Sequence, residues 1–526
     1  MKLTRMLAVA ALSLGLAAGA QAVQFKYADQ GDSLSMDPYM LNESLLLNFT
    51  GNMYEGLVGR GKKLELQPEL ATDWKQTAPT VWRFNLRKGV KFHDGSPFTA
   101  DDVIFSLDRA RADGSDMKTY VGEIKEIRKI DDHTIDIVTN RPFPILPEVI
   151  YLWRIMNKQW CEKNNATKPV DVRKGVENHA SNNANGTGPF MLKSRQPGVR
   201  TVLVPNPSWW GKPEHNLTEV VFTPIGNDAT RVAALISGEI DMMQPVPLQD
   251  VARLNGNPNL KVMQGPELRT IFLGMDQKRD ELLFSSVKGK NPFKDRRVRQ
   301  AFYQAIDIEA IRKNIMRGAA APTGLMIAPG INGFVPELNT RLPYDPDGAK
   351  KLLAEAGYPN GFNLTIHGPA GRYVNDEKIV QAVAQMLSRI GITAKVETAP
   401  MGPYSGRASK QEFSFHMVGW GASTGEASSP LRSLLATFNR DKGLGAVNWG
   451  RYSNAKVDYL IEQALQQVND DNRRVMLQRA TELSMQDLGL MPIHFQFTMW
   501  ATKKNVQYVP RTDEYTLAFQ FRPAKS

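Results

Sequence analysis

The chain has 526 residues, too many for one hydrophobic core, so two or three domains are expected. Its 42% hydrophobic and 23% charged residues are typical of a globular protein and argue against a disordered chain. A formal net charge of +11 would suit nucleic acid, anionic membranes or acidic ligands. The densest basic run, residues 295–299 (DRRVR), falls in a predicted helix and indicates a solvated face, so no nucleic-acid partner is expected.

The N-terminus has the pattern of a secretory signal peptide. Lys2 and Arg5 precede a short apolar run, and Ala20-Gln21-Ala22 fits the small-x-small cleavage pattern. The run is too short to span a membrane, and no longer apolar run follows it. We therefore expect cleavage after residues 1–22, a mature chain that starts at Val23 with a net charge of +9, and a periplasmic location.

The first half of the mature chain alternates between strand and turn patterns. Residues 24–29 alternate like a strand, and residues 80–92 predict a hairpin with its turn at Lys88-Gly89. A capping box of Thr99 and Asp102 opens a predicted helix over residues 100–112. A second hairpin is predicted over residues 129–143 with its turn at Asp131-Asp132, before an Asn-rich crossover near residues 160–188.

The second half is more helical. Its pattern predicts a helix, a glycine stop and a strand over 228–243, and further helices over 295–318, 345–358, 375–391, 455–469 and 471–487. Predicted strands at 362–369 and 392–400 flank the helix at 375–391 as a βαβ unit, which implies parallel pairing. Residues 490–509 return to strand. We therefore predict an α/β protein with mixed sheets.

A serine-hydrolase motif is present in the segment from Gly421 to Gly425, which matches G-x-S-x-G with Ser423 as the nucleophile. The next helix is predicted to start with Ser429 as N-cap and Pro430 at its first position, too late for a nucleophile elbow. The only downstream histidine is His494, in an ordinary strand pattern. An exported serine hydrolase is kept as the alternative of another class.

Other chemical motifs are absent from the sequence. Gly56 to Lys63 matches a phosphate-binding loop except that Lys63 takes the Ser/Thr position, so a hairpin turn is predicted there. The seven histidines show no metal-ligand spacing, and the single cysteine, Cys161, excludes an internal disulfide. We expect no metal, no cofactor and no catalytic residues, which favours a binding protein over an enzyme.

A long, regularly spaced motif covers residues 69–110. Its members are Trp74, Trp82-x-Phe84-x-Leu86-Arg87, Val90-x-Phe92-His93-Asp94-Gly95-x-Pro97 and Asp101-Asp102-Val103. Further landmarks follow in order at 53–59, 185–190, 291–307, 344–362 and 418–430. This pattern resembles the family 5 extracellular solute-binding proteins, the peptide, nickel and opine receptors of ABC importers. The resemblance covers nearly all of the mature chain.

The resemblance implies a periplasmic binding protein fold of the cluster C type, with two hinged lobes and an additional inserted domain. Lobe I is expected to comprise residues 23–53, 185–270 and 498–526, the inserted domain residues 54–184, and lobe II residues 271–497. It further implies a small-molecule or short-peptide ligand, a membrane ABC permease as partner, and a monomer.

The resemblance also implies a ligand contact in the Gly-Trp turn. Dipeptide and oligopeptide receptors have an Asp there that binds the ligand's α-ammonium, and the matching position in this chain is Ser423. A hydroxyl supplies no countercharge to a buried ammonium. Either Glu426 takes that role, which keeps a peptide-like ligand, or the ligand is an opine, a modified peptide, an oligosaccharide or a nickel chelate. We prefer the peptide-like ligand.

The remaining expected ligand contacts come from both lobes. Arg372 lies in the loop of the βαβ unit, where its guanidinium suits a carboxylate. Aromatic walls are expected from four residues that would otherwise be core: Tyr373, Tyr404, Trp420 and Trp500. The set is completed by Thr424, by His416, which could equally be a core or edge residue, and, from lobe I, by Asp29 and Ser33.

Overall fold

The computed structural model describes residues 23–62, 64–422, 424–440 and 442–523, so the predicted signal peptide and Ser423 lie outside the described residues. The strands are β1 (Val23–Asp29), β2 (Val58–Arg60), β3 (Leu66–Pro68), β4 (Ala71–Ala78), β5 (Val81–Leu86), β6 (Ile124–Asp131), β7 (Thr134–Thr139), β8 (Phe190–Gln196), β9 (Arg200–Pro205), β10 (Leu217–Pro224), β11 (Met242–Met243), β12 (Leu260–Met275), β13 (Ala320–Pro322), β14 (Phe362–Ala370), β15 (Ile392–Pro400), β16 (Phe415–Gly421), β17 (Met491–Lys503), β18 (Val506–Gln507) and β19 (Arg522–Pro523).

The two longest helices lie in the second half of the chain. The helices are α1 (Ser44–Thr50), α2 (Ala100–Arg111), α3 (Lys118–Val121), α4 (Leu146–Ile150), α5 (Lys158–Lys163), α6 (His179–Asn182), α7 (Asp228–Ser237), α8 (Val251–Asn255), α9 (Arg296–Gln304), α10 (Ile308–Ala310), α11 (Pro346–Glu355), α12 (Asp376–Ser388), α13 (Met401–Ser409), α14 (Ser428–Pro430), α15 (Ala455–Gln466) and α16 (Asp470–Gln486). Across the described residues, no helix combines the length and the apolar character that crossing a membrane would require.

One sheet of eleven described strands runs through the molecule in the order β15-β14-β16-β12-β17-β11-β1-β10-β9-β8, with β13 paired to β17. Its pairs are both parallel, as in β1 with β10, and antiparallel, as in β12 with β17. The prediction of an α/β fold with mixed sheets is therefore confirmed. A separate four-stranded antiparallel sheet has the order β4-β5-β7-β6.

The strands β12 and β17 connect the two ends of the large sheet. Their pairing shifts between Pro266 and Thr270, which face Phe497 and Phe495 on β17. Three residues of β12 therefore lie opposite a single residue of β17, and such a bulge bends and twists a strand. Two of those three residues are Glu267 and Arg269, whose side chains are described below.

The apolar side chains form two large cores. The C-terminal core contains buried residues between 268 and 495, together with Leu64. The N-terminal core contains buried residues between 25 and 222, with others at 242 and 500–521. A smaller cluster, which includes Ala28, Leu260 and Ala501, packs beside the N-terminal end of β12. The bulge of β12 thus lies where the chain passes from one large core to the other.

Several local predictions are confirmed. The βαβ unit is present as β14, α12 and β15, and the two strands are parallel in register from Phe362 with Ile392 onward. Both hydrogen bonds of the capping box of Thr99 and Asp102 are present at the start of α2. Gly238 ends α7 in the left-handed conformation at φ 82°.

Three local predictions are wrong in detail. The turn at Lys88-Gly89 exists, but the strand before it, β5, pairs with β4 and β7. The prediction missed β4 because that strand is largely polar and exposed and shows no strand pattern. The second hairpin turns one residue later than predicted, since Asp131 pairs with Thr134. The helix predicted over 295–318 is divided, because the side chain of Asp307 accepts a hydrogen bond from the backbone of Ala310 and starts α10.

Candidate functional site

The Gly-Trp turn begins at the end of β16, beside the bulge of β12. Trp420 and Gly421 pair with Thr270 and Arg269, so the turn leaves the sheet where the two cores meet. Trp420 is half-buried, and its indole N–H donates to the Ser429 hydroxyl at 3.2 Å. Helix α14 starts at Ser428 after Ala427, two residues earlier than predicted. The turn still separates this helix from the end of β16 at Gly421, whereas a nucleophile elbow requires the helix to follow the serine at once.

The only described carboxylate of this turn is already paired. Glu426 is 2% exposed, and its Oε1 accepts hydrogen bonds from Arg473 Nε at 2.7 Å and Asn332 Nδ2 at 3.3 Å. The Ser428 hydroxyl donates to its Oε2 at 2.5 Å. Because Arg473 already neutralises it, Glu426 offers no spare countercharge, and this geometry argues against the role expected for it as a substitute for the missing Asp.

Arg372 lies in the loop between β14 and α12, as expected from the βαβ pattern. The carboxylate of Asp376 fixes this loop by accepting the backbone N–H groups of Arg372 at 2.8 Å and Tyr373 at 3.0 Å. The guanidinium of Arg372 is half-buried, lies 5.3 Å from the centroid of the Tyr373 ring, and forms no ion pair within the described residues. Tyr373 links the loop to β16, since its hydroxyl donates to the Gly419 carbonyl at 3.2 Å.

A buried charged cluster packs behind Tyr373. Arg269 lies 5.4 Å from the ring centroid of Tyr373, donates from Nε to Glu267 at 2.7 Å, and forms an ion pair with Glu514. Glu267 also accepts hydrogen bonds from Gln496 at 2.7 Å and Thr498 at 2.9 Å. This cluster therefore joins the bulge of β12 to β17 and to the C-terminal segment.

The two carboxyl groups of this cluster have opposite pKa shifts. Burial, with the neighbouring Glu514, raises the pKa of Glu267 to about 8. Burial also acts to raise the pKa of Glu514, but Arg269 outweighs it and holds that pKa well below its usual range. At neutral pH Glu267 is therefore mostly protonated, and Glu514 balances one guanidinium. Arg372 also helps to lower the pKa of Glu514, although it forms no ion pair within the described residues, so Arg269, Arg372 and Glu514 together keep one excess positive charge.

The sequence reasoning missed this cluster. The pattern Glu267-x-Arg269 places two charges on one face of a strand, which is a readable signal in an apolar segment. Glu514 lies 245 residues from Arg269, and nothing in the sequence pairs them.

Asp29 and Ser33 follow the carboxyl end of β1, in the other half of the sheet. Asp29 is 9% exposed and forms no ion pair within the described ranges, and its Oδ1 accepts the N–H of Gln30 at 2.6 Å. Burial raises the pKa of Asp29 to about 7. The hydroxyl proton of Ser33 is committed to the carbonyl of Ser35 at 2.7 Å, which leaves Asp29 as the more available group.

Three of the expected contact residues belong to the cores. The Tyr404 hydroxyl donates to the Met417 carbonyl at 2.7 Å, inside the C-terminal core. His416 is at the opposite end of β16 from the Gly-Trp turn, where burial lowers its pKa to about 3. Trp500 is fully buried in the N-terminal core, and its indole N–H donates to Thr516 at 2.9 Å. Their burial favours the core interpretation of these three residues over the expected ligand contact, and Tyr373, which is 7% exposed, also belongs to the C-terminal core.

Contacts from the N-terminal half cover the Gly-Trp turn. Arg60 of β2 donates from Nη2 to the Thr424 carbonyl at 2.7 Å and to the Glu148 carbonyl at 3.1 Å. The hydroxyl of Thr424 is buried without a hydrogen-bond partner among the described residues. Gly425 has φ 71°, and a Cβ there would be 3.0 Å from Arg60 Nη1, so glycine permits this approach.

Residues 65–442 match the family model described as bacterial extracellular solute-binding proteins, family 5. The chain belongs to this family. The match includes both the spaced motif at 69–110 and the Gly-Trp turn, so the resemblance inferred from the sequence is confirmed.

Relatives of this family 5 protein include binding proteins for several solutes. The glutathione-binding protein GsiB of Escherichia coli (strain K12) is 28% identical over 487 residues, which cover 90% of this chain and 89% of GsiB. The periplasmic binding protein DppA of Helicobacter pylori, solved with peptide STSA, matches at a TM-score of 0.81 and 26% identity over 96% of this chain and 98% of DppA. AgaA of A. tumefaciens R10, solved with agropinic acid, shares the fold at a TM-score of 0.80 and 21% identity, over 96% and 99% of the two chains.

The family 5 assignment fits the two cores. The structural neighbours are periplasmic binding proteins, so the two-lobed fold implied by the resemblance is confirmed. The Gly-Trp turn, Arg372 and Tyr373 belong to the half built on the C-terminal core, and Asp29 and Arg60 to the half built on the N-terminal core.

Proposed function

We propose that this family 5 protein is the periplasmic receptor of an ABC importer, that it binds a short peptide of net negative charge between its lobes, and that it delivers this ligand to a membrane permease without chemical change. Glutathione is the first candidate, since the GsiB relatives are named for it. The observation that carries this proposal is the guanidinium of Arg372, which lies beside Tyr373 and the Gly-Trp turn and forms no ion pair within the described residues.

The charges of the site residues indicate the class of ligand. Arg269 is balanced by Glu514, and Glu426 is balanced by Arg473, so neither pair demands a further charge. Arg372 remains, and its planar guanidinium matches a carboxylate through two parallel hydrogen bonds. Glutathione has two carboxylates and one α-ammonium, so its net charge is negative and complements the site.

The ligand's ammonium requires a partner outside the Gly-Trp turn. Asp29 lies in the other lobe and has no ion pair within the described residues, and burial disfavours its charged form. A ligand ammonium beside Asp29 would supply the missing countercharge. A peptide held by Arg372 at a carboxylate and by Asp29 at its ammonium would then bridge the lobes and stabilise their closure.

Ligand capture is best tested by isothermal titration calorimetry with reduced glutathione. We expect one-to-one binding, and we expect Arg372→Gln to weaken it by about 2–5 kcal/mol because a buried charge pair is lost. Arg200→Gln, which removes an exposed arginine of β9, is the matched control and should change the affinity less than about twofold. Equal affinity in the wild type and Arg372→Gln would remove Arg372 from the site.

The ligand class is tested independently by native mass spectrometry of protein purified from cells without unfolding. A co-purified peptide with net negative charge supports the proposal. An opine, an oligosaccharide or a nickel chelate would replace the ligand while leaving the receptor assignment intact.

Two further parts of the proposal need their own tests. Mass spectrometry of protein secreted to the periplasm should give a mature N-terminus at Val23. Incubation with a fluorophosphonate probe should leave Ser423 unmodified, and stoichiometric labelling of Ser423 would instead establish the hydrolase alternative.

A further inference from the structure

A cavity lies in the C-terminal lobe at the end of β12, well away from the Gly-Trp turn. β12 continues for five residues from Thr270 to Met275, or roughly 17 Å of strand, before the chain reaches this cavity. The cavity has a volume of about 540 Å³, which is in the usual range for a small-molecule site. The residues that matter for its chemistry are Lys278, Lys294, Arg299, Arg451, Tyr452 and Asp487.

The charges around this cavity do not balance. Arg299 is paired with Asp487 at 3.2 Å, and Lys294 with the exposed Asp280 at 2.7 Å. Lys278 and Arg451 form no ion pair within the described part of the chain. Four cations therefore line the cavity with a single carboxylate, and two of the four form no ion pair within the described residues.

Arg451 is held in place by neutral groups. Its Nη1 donates to the Asn448 carbonyl at 2.7 Å, and its guanidinium lies 4.1 Å from the centroid of the Phe438 ring. Its backbone has φ 52°, which is uncommon for a residue other than glycine. Burial lowers the pKa of Arg451 and outweighs the attraction of Asp276, with which Arg451 forms no ion pair.

The walls of the cavity are fixed before any ligand arrives. The amide of Asn448 donates to the carbonyls of Ala436 at 2.9 Å and Tyr452 at 2.8 Å, which ties two lining loops together. Within the described residues, the buried Arg299 Nε has no hydrogen-bond partner. Such groups cost free energy unless another molecule satisfies them.

We propose that this cavity binds a small molecule with two or more neighbouring oxyanion groups, at a site separate from the cleft between the lobes. Lys278 and Arg451 supply positive charge that no ion pair within the described residues uses, and Arg299 supplies an unused N–H. The ligand class includes organic phosphates and polycarboxylates, which share closely spaced negative oxygens.

The test is isothermal titration calorimetry of the full mature chain at low ionic strength. The probes are inorganic pyrophosphate and, in a separate titration, citrate. We expect saturable one-to-one binding of at least one probe with a Kd below about 1 mM. Stronger binding of pyrophosphate would indicate a phosphate ligand, and stronger binding of citrate a polycarboxylate. The double variant Lys278→Gln/Arg451→Gln should weaken the binding at least about tenfold.

The control variant Lys350→Gln/Lys351→Gln removes two exposed lysines of α11 on the same lobe and the same net charge. It should change the affinity less than about twofold. An equal loss in the control, the absence of saturable binding, or a loss caused by Arg372→Gln would each overturn the proposal. If the double variant unfolds, the exposed Lys278→Gln alone should still weaken binding, and these results stand whether or not glutathione binds in the cleft.

Discussion

The guanidinium of Arg473 donates to the carboxylate of Glu426 at 2.7 Å, and both side chains are almost completely buried. Although burial by itself lowers the pKa of Arg473, its attraction to Glu426 raises that pKa above the usual value. The two residues are 47 positions apart, so the pair joins α16 to the Gly-Trp turn. The turn is therefore anchored by an internal ion pair at Glu426, three residues after Ser423, the position where the resemblance implies a ligand-binding Asp.

This pair predicts a large loss of stability when its cation is removed. Arg473→Met leaves Glu426 buried without a countercharge, and we expect the free energy of unfolding to fall by about 3–5 kcal/mol. Urea unfolding measures the change. Arg474→Met is the matched control, because its partner Asp471 is exposed and that pair should contribute at most about 1 kcal/mol.

The same pair distinguishes a structural role for Glu426 from a ligand contact. The double variant Glu426→Gln/Arg473→Met should recover part of the lost stability, because neither charge is then buried alone. Glu426→Gln by itself should leave glutathione affinity within about threefold. A much larger loss of affinity in a folded Glu426→Gln variant would restore Glu426 to the ligand site.

The buried carboxyl of Glu267 predicts a pH-dependent stability. Its pKa is raised from 4.5 to about 8 in the folded protein. Between these two pH values the folded state therefore holds a proton that the unfolded state has lost. Stability from this group is therefore complete below about pH 4.5 and is lost as the pH rises through 8. Glu267→Gln keeps a neutral amide there, and we expect it to be more stable than the wild type at pH 8.5 by about 1–3 kcal/mol.

The measurement for Glu267 is the difference in thermal unfolding midpoint between pH 5 and pH 8.5. That difference should be smaller in Glu267→Gln than in the wild type. Glu281→Gln changes an exposed carboxyl of the same half, whose pKa is lowered by the backbone N–H of Gly289 and by Lys288, and it should not stabilise the protein at pH 8.5. An unchanged difference in Glu267→Gln would show that Glu267 is ionised in the folded protein.

Local sequence patterns predicted much of the fold but little of the site. Period-two and helical patterns located β14, α12 and β15, and the spaced motif identified the family. The pattern could not show that Arg473 neutralises Glu426 or that Glu514 balances Arg269, since each pair joins distant segments. Local patterns likewise could not separate core aromatics from ligand contacts, because Tyr404 of α13 and Tyr373 of the loop before α12 are both buried and both donate to backbone carbonyls of β16.

Asp29 predicts a pH dependence of ligand affinity. Burial raises its pKa to about 7, so the empty protein holds a neutral carboxyl at this position at mildly acidic pH. If a ligand ammonium pairs with Asp29, binding favours the ionised form and releases a proton. Glutathione affinity should therefore rise by about tenfold between pH 5.5 and pH 7.5, and Asp29→Asn should flatten that profile. Calorimetry in buffers of different ionisation enthalpy would detect the released proton, and a flat wild-type profile would contradict this role.

The last prediction concerns an ion pair that crosses between the two lobes. Glu123, in the N-terminal half, contacts Arg432 of the C-terminal half at 3.5 Å and Arg141 of its own half at 2.6 Å. We expect the first contact to form only when the lobes are closed, whereas the second lies within one half. Arg432→Gln should weaken ligand binding by about two- to fivefold through faster dissociation, because a partly exposed pair contributes up to about 1 kcal/mol.

Arg141→Gln removes the other arginine from the same carboxylate and is the matched control for Arg432→Gln. It should leave the dissociation rate of the ligand nearly unchanged, since its pair with Glu123 is present in open and closed lobes alike. Stopped-flow dissociation measures both variants, and raising the salt concentration should reduce the difference between them. Equal effects of the two substitutions would mean that Glu123 stabilises its own half and has no part in closure.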